Sequence, residues 1–301
     1  MTRAKWKGYF SFMAIRTILV PLDGSEAAYN VLQTALIVAS RFGGHISALH
    51  VSHSALESAT YLFSGISKAL RDSVEIEDKQ ALTRQAQEIR SRFESFCRDN
   101  SISITDRPTR SGGSTASWRH EFGSVNDILI DYARLNDVTA FARSEQRKNV
   151  VQRGVPGNTL QAVMLGSGRP ILVVPPRWQA RKTEHAVIGW NHSQEASRAL
   201  AMTIPWLLEM KKVTIAVAKK REAGGNRLVE YLAWHGIKSE IEILNRKSSS
   251  AGQRILEICD AVGGDFLVVG GFSTPRARER LFGGVTDHLL SSSNIITVIV
   301  H

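Results

Sequence analysis

Short apolar runs alternate with longer amphipathic stretches along this chain. Thr17-Ile-Leu-Val-Pro-Leu-Asp23 is a continuous apolar run rich in β-branched residues, the pattern of a buried parallel strand. Gly24-Ser25 turns the chain, and Ser25 is suited to cap a helix that runs to about Phe42 and ends at Gly43-Gly44. His45 to Val51 follows as a second strand. Strand, helix and strand joined by short turns make a βαβ unit with a right-handed crossover.

The same pattern returns further on. Ala186-Val-Ile-Gly-Trp-Asn-His-Ser193 again reads strand, polar residue, serine, and a helix (Gln194 to Met210) and strand (Val213 to Ala218) follow. Asn191 falls opposite Asp23 and Ser193 opposite Ser25, both at an offset of 168 residues. The ends of the halves match as well. Gly157-Asn158 precedes a short helix and the strand Ile171 to Val174; Gly283-Gly284 precedes a short helix and the strand Ile295 to Val300. The spacing predicts two tandem five-stranded, mostly parallel α/β sheets flanked by helices, with the two short terminal strands meeting because each would otherwise expose an edge.

The units expected are an extension over 1–12, a first domain over 13–175, a linker over 176–183 and a second domain over 184–301. The first domain is longer because of an insertion at about 53–100. There Val74, Ile76, Leu82, Ile89, Phe93 and Phe96 recur at helical spacing, which predicts one or two added helices on the sheet. Open sheets of this class bind ligands beyond the carboxyl ends of their strands, so the residues after the first and fourth strand of each half are the candidates.

Two stretches carry a family resemblance. One is Ile18-Leu-Val-Pro-Leu-Asp23-Gly-Ser25; the other runs from Val268-Val-Gly270-Gly-Phe-Ser273 through Arg276, Arg278 and Glu279 to Gly283-Gly284-Val-Thr286. Together they resemble the universal stress protein family, and the duplication resembles a tandem member. The resemblance implies the adenine-nucleotide α-hydrolase-like fold of that family. It implies ATP or a related adenine nucleotide as the ligand, pairing of the two domains through their last strands, and no shared catalytic triad or metal site.

In ATP-binding relatives the loop after the fourth strand reads Gly, two residues, Gly, nine residues, Gly, then Ser or Thr. Glycines there let backbone amides approach phosphate oxygens, and the following helix N-terminus adds donors. The second half keeps Gly270 and Gly283 at the required spacing of 13, with Ser273 at the middle glycine, Gly284 at the hydroxyl position and Arg276 as a cation for phosphate. Its polar residue after the first strand is Asn191. The first half keeps Asp23 and Ser25, and Gly157-Asn158 in part, but its fourth strand ends Ala140-Phe-Ala142-Arg143 without glycine. Any nucleotide is therefore expected in the second half.

Composition narrows the picture. With 301 residues, 43% hydrophobic and 22% charged, the chain is an ordinary globular mix for two domains. Two cysteines, Cys97 and Cys259, exclude a disulfide scaffold and suit buried thiols in a cytoplasmic protein. No apolar run reaches the ~18 residues of a membrane span. The net charge of +10 is shared evenly by the halves, without aromatic residues interleaved among the basic ones, so a specific nucleic-acid partner is not expected. His50 and His53 lack a third metal ligand nearby. The function expected is a non-catalytic, cytoplasmic stress-response factor; a weak ATPase or phosphotransferase and a degenerate protein-binding scaffold are the alternatives. A second copy of the chain and unidentified proteins are the expected partners.

Overall fold

The computed structural model describes residues 15–54, 68–108, 113–143, 159–244, 250–271 and 284–301. Its first strand, β1 (Thr17–Pro21), is buried almost throughout, as its apolar run requires. Ser25 caps α1 (Glu26–Phe42): its hydroxyl accepts from the Ala28 amide at 3.2 Å, and Gly43 closes the helix at φ 61°. The first series continues through β2 (His45–Ser52), α2 (Lys68–Asp99), β3 (Ser103–Ile104), β4 (Thr115–Phe122), α3 (Val125–Arg134), β5 (Val138–Ala142), α4 (Thr159–Ser167) and β6 (Ile171–Val174). The second runs β7 (His185–Trp190), α5 (Gln194–Leu208), β8 (Lys212–Val217), α6 (Glu222–Trp234), β9 (Glu240–Ile243), α7 (Ala251–Val262), β10 (Phe266–Gly270), α8 (Val285–Ser292) and β11 (Ile296–Val300).

All these strands lie in one sheet, in the order β3-β4-β2-β1-β5-β6-β11-β10-β7-β8-β9. The two terminal strands meet as expected: β6 pairs with β11, Ile171 opposite Ile299 and Val173 opposite Thr297. The expected pair of five-stranded sheets is thus fused into a single eleven-stranded one. The first series supplies six strands rather than five, because Ser103-Ile104 adds a parallel edge strand to β4. Two residues are too few to show an alternating pattern, so the sequence does not announce this strand.

The β6–β11 pair is antiparallel, whereas the pairs within each series are parallel. The carboxyl ends of β1–β6 and of β7–β11 therefore point to opposite ends of the sheet, and so do the two candidate sites. Helices α1, α2, α5 and α6 pack on one face, through residues such as Leu32, Phe93, Leu200 and Leu232. Helices α3, α4, α7 and α8 pack on the other, through Leu129, Met164, Cys259 and Leu289.

The repetition extends to single hydrogen bonds. The Asp137 carboxylate accepts from the Arg16 and Thr17 amides at 2.7 and 2.9 Å, fixing the start of β1. The Asp265 carboxylate accepts from the Glu184 and His185 amides at 3.0 and 2.9 Å, fixing the start of β7. These contacts span 120 residues in the first series and 80 in the second, which locates the extra length between β1 and β5.

Much of that length is α2, a single helix of 32 residues. Its seated stripe is Ala86, Ile89, Phe93 and Cys97, all buried. Ile76, expected on the same apolar face, is 56% exposed. Among the described residues, the fully buried positions of α2 begin at Ala86; upstream of it Val74 and Leu82 are half-buried.

Candidate functional site

Both series reverse direction beside their first strand. β1 lies between β2 and β5, and β7 between β8 and β10, so the crevice at each switch point opens beside the turn that follows β1 or β7. The two turns share one construction. Asp23 Oδ1 accepts from the Ser25 amide at 2.9 Å, and Asn191 Oδ1 accepts from the Ser193 amide at 3.0 Å. Ser25 and Ser193 then cap α1 and α5, accepting from Ala28 and Ala196. The middle residue of each turn is left-handed: Gly24 at φ 85° and His192 at φ 63°.

What faces those middle residues differs. In the first series, α2 roofs the turn. Ile89 lies 3.1 Å from where a Cβ on Gly24 would stand, and Arg92 donates to the Gly24 carbonyl at 3.1 Å and to Glu26 at 2.6 Å. The Tyr29 hydroxyl donates to the Ile89 carbonyl at 3.2 Å, and the Arg92 guanidinium lies 3.9 Å from the Tyr29 ring centroid. In the second series the sizes are exchanged. The His192 ring occupies the space beside Gly224 of α6, so close that a Cβ on Gly224 would overlap it. A glycine turn against a bulky helix residue has become a bulky turn residue against a helix glycine.

Beside His192 the chain leaves a cleft of about 560 Å³, lined by Asn191, His192, Ser193, Lys220, Arg221, Ala223, Gly224 and Arg227. Among the described residues, none that lines it is a carboxylate. Arg221 donates through Nη1 to the Asn191 carbonyl, bracing the turn. Lys219 beside it is paired with Glu222 at 2.5 Å, whereas Lys220 and Arg227 have no acidic partner among the described residues. Sequence reasoning reached Asn191 but not His192, Lys220, Arg221 or Arg227. The available signals were a non-glycine at the position matching Gly24 and the pair Gly224-Gly225 inside a helix.

The glycine loop is described at its two ends. At Gly270 a Cβ would stand 2.6 Å from the Glu195 carbonyl carbon and 2.9 Å from the Ala196 Cα. This glycine therefore lets the first turn of α5 sit directly on the end of β10, a packing reason in addition to the expected phosphate one. Gly284, at φ 111°, is the N-cap of α8, and no described residue lies within 4 Å of the Cβ position. Ser273, Arg276 and Gly283 lie outside the described residues, as do Gly157 and Asn158 in the first series. Ala142 matches Gly270 in the sheet, each opposite the last residue of the neighbouring terminal strand, Val174 of β6 and Val300 of β11.

At the carboxyl ends of β2 and β4 the first series holds a histidine network. The His50 Nδ1–H donates to the Leu22 carbonyl at 2.7 Å, leaving Nε2 to accept from the Ser52 hydroxyl at 3.3 Å. His120 Nε2 lies 2.8 Å from the same hydroxyl. Burial lowers the pKa of both rings, and the neighbouring His50 lowers that of His120 further. Among the described residues no group of three or more His, Cys, Asp or Glu side chains is placed to hold a metal. Cys97 and Cys259 are buried, and burial raises their thiols to about 11 and about 12, which keeps them protonated and unreactive. Among the described residues no helix is long and apolar enough to cross a membrane.

Comparison with known proteins agrees with this architecture. The model of the universal stress protein family matches residues 14–175, just over half of the chain. The crystal structure of a universal stress protein from Archaeoglobus fulgidus DSM 4304 superposes with a TM-score of 0.64 at 14% identity, covering 96% of this chain and 97% of that one. A functionally unknown protein from Pseudomonas aeruginosa PAO1 superposes with a TM-score of 0.53 at 14% identity, covering 97% and 94%. At such identities these likenesses concern the fold. No curated protein matches the chain.

Proposed function

This chain belongs to the universal stress protein family, and on that premise we propose that it is a tandem, non-catalytic member whose second half, 184–301, binds an adenine nucleotide of the ATP type. The observation that carries this reading is the contrast between the two switch points. The turn at Asp23 is roofed by α2, while the turn at Asn191 opens on a cleft lined by Lys220, Arg221 and Arg227. An anionic ligand is favoured in such a cleft by uncompensated cations. The nucleoside sits over the end of β7 beside Asn191, with its 5′-phosphates toward Gly270 and the N-cap Gly284, at the N-terminus of α8.

Binding without turnover is the better reading because, among the described residues, the lining offers neither a carboxylate for a magnesium ion nor a carboxylate base for an attacking water. A role as a cytoplasmic stress-response factor, acting through nucleotide-dependent contacts with other proteins or with a second copy of the chain, fits that absence of machinery. The test is direct: purify the protein, denature it and assay the supernatant for released nucleotide, then titrate nucleotide-free protein with ATP. Released or calorimetrically bound adenine nucleotide supports the reading. Neither release nor heat overturns it in favour of a scaffold without ligand, and steady phosphate release from ATP overturns the non-catalytic part.

A further inference from the structure

Resting on that nucleotide reading, we infer that the β8 side of the cleft is a second phosphate seat, so that the preferred ligand is a nucleoside phosphorylated at two separate positions. Lys220 and Arg221 follow β8, and Arg227 is one turn into α6; all three line the cleft beside Asn191. Gly270 and the N-cap Gly284 belong to the β10 side. In the sheet β7 lies between β8 and β10, so strands at a spacing of ~4.8 Å put the two sides about 10 Å apart. A single 5′-phosphate chain directed at Gly270 and Gly284 leaves Lys220 and Arg227 facing the far end of the ligand.

A neutral nucleoside end would not call for those cations. They are uncompensated among the described residues, although Lys219 next to them is paired with Glu222. Arg221 is held against the Asn191 carbonyl, which places a positive charge in the cleft lining beside the turn. Gly224, buried beside the His192 ring, keeps the helix wall close at this point. Two arginines and a lysine around one concavity, with no carboxylate among the described lining residues, form a site matched to phosphate oxygens rather than to a sugar or base edge.

Adenosine 3′,5′-bisphosphate and ADP carry the same number of phosphates and differ in whether these sit at one end or two. Calorimetric titration of the full chain with each probe tests the seat. The expected result is at least about tenfold tighter binding of the bisphosphate. In the double variant Lys220→Gln, Arg227→Gln that preference disappears, the bisphosphate losing at least about tenfold more affinity than ADP; both side chains are exposed, so folding is kept. Equal affinity of the two probes, or a preference that survives in the double variant, overturns the inference and leaves the nucleotide reading standing. Bisphosphate binding that needs Lys220 and Arg227 but is unchanged by Gly283→Val keeps the seat and overturns the glycine-loop reading. If neither probe binds, both fall.

Discussion

Arg41 and Glu209 stand 168 residues apart, at matching positions at the ends of α1 and α5, and they touch. Arg41 Nη2 donates to the Glu209 carbonyl at 2.8 Å, and the carboxylate of Glu209 lies 3.9 Å from the same nitrogen. The offset that relates the two halves in sequence is also the separation of two residues in contact, so the repeated elements meet one another across the join. The Arg41 side chain is nearly buried and its other terminal nitrogen faces the Thr183 carbonyl at 3.5 Å.

This contact separates a carbonyl effect from an ion-pair effect. Arg41→Ala leaves a helix-end carbonyl without its charged donor and should cost about 1–3 kcal/mol. Glu209→Ala removes a half-exposed carboxylate and keeps the carbonyl, and should cost less than about 1 kcal/mol. Urea unfolding of the two variants checks the order; equal losses would mean that the ion pair is the stabilising element.

The exchange of sizes at the turns predicts a rescue. Gly224→Ala puts a methyl group into the His192 ring and should destabilise the second half. His192→Gly restores the turn found at Gly24, relieves the left-handed strain of a non-glycine residue and vacates the ring space. The double variant should therefore be more stable than Gly224→Ala alone, by roughly 1–2 kcal/mol. Thermal melts of the two variants and the double variant measure this coupling, and strict additivity would contradict it.

Gly270 and Gly284 should respond differently to alanine. At Gly270 the methyl group meets the backbone of Glu195 and Ala196, so α5 must shift off β10, a loss of about 2 kcal/mol or more. At Gly284 no described residue is in the way, and the φ of 111° opposes the change at roughly 1–2 kcal/mol. Comparable melting temperatures for the two variants would argue against the close approach at Gly270.

The histidine network makes stability fall in mild acid. Burial holds the His45, His50 and His120 rings below the ordinary 6.5, so the unfolded chain binds more protons than the folded one below that pH. Their contribution is complete above pH 6.5 and is lost as pH falls through the folded values. The melting temperature should be flat from pH 8 to 7 and decline from about 6.5 downward, with a shallower decline in His50→Gln. Equal slopes in the two proteins would remove His50 from the account.

The strands and caps were legible because they rest on local chemistry. The run Ile171–Val174 is a strand at its expected bounds, and Ser25 and Ser193 cap the helices that their positions promise. The pairing of β6 with β11 was legible from two short apolar strands that would otherwise be edges. The Asp23 and Asn191 turns followed from the 168-residue offset. What escaped depends on contacts distant in sequence. Ile89 and Arg92 reach Gly24 and Glu26 across more than 60 residues, and a helical period records that α2 has an apolar face without saying what it covers. Lys220 and Arg227 carry no local signal, because only the fold of β8 and α6 brings them beside Asn191. Gly270 was legible as a glycine that something approaches; the structure adds α5 to the expected phosphate.

The central claim is that nucleotide, if offered to this chain, binds the second half. Calorimetric titration of ATP into Gly283→Val and Asp23→Ala decides it. The account predicts that Gly283→Val abolishes binding, because a β-branched side chain takes the space of the phosphate, and that Asp23→Ala, altering a turn already roofed by α2, leaves affinity nearly unchanged. Loss of binding in Asp23→Ala with full binding in Gly283→Val would put the ligand in the first half and contradict the account.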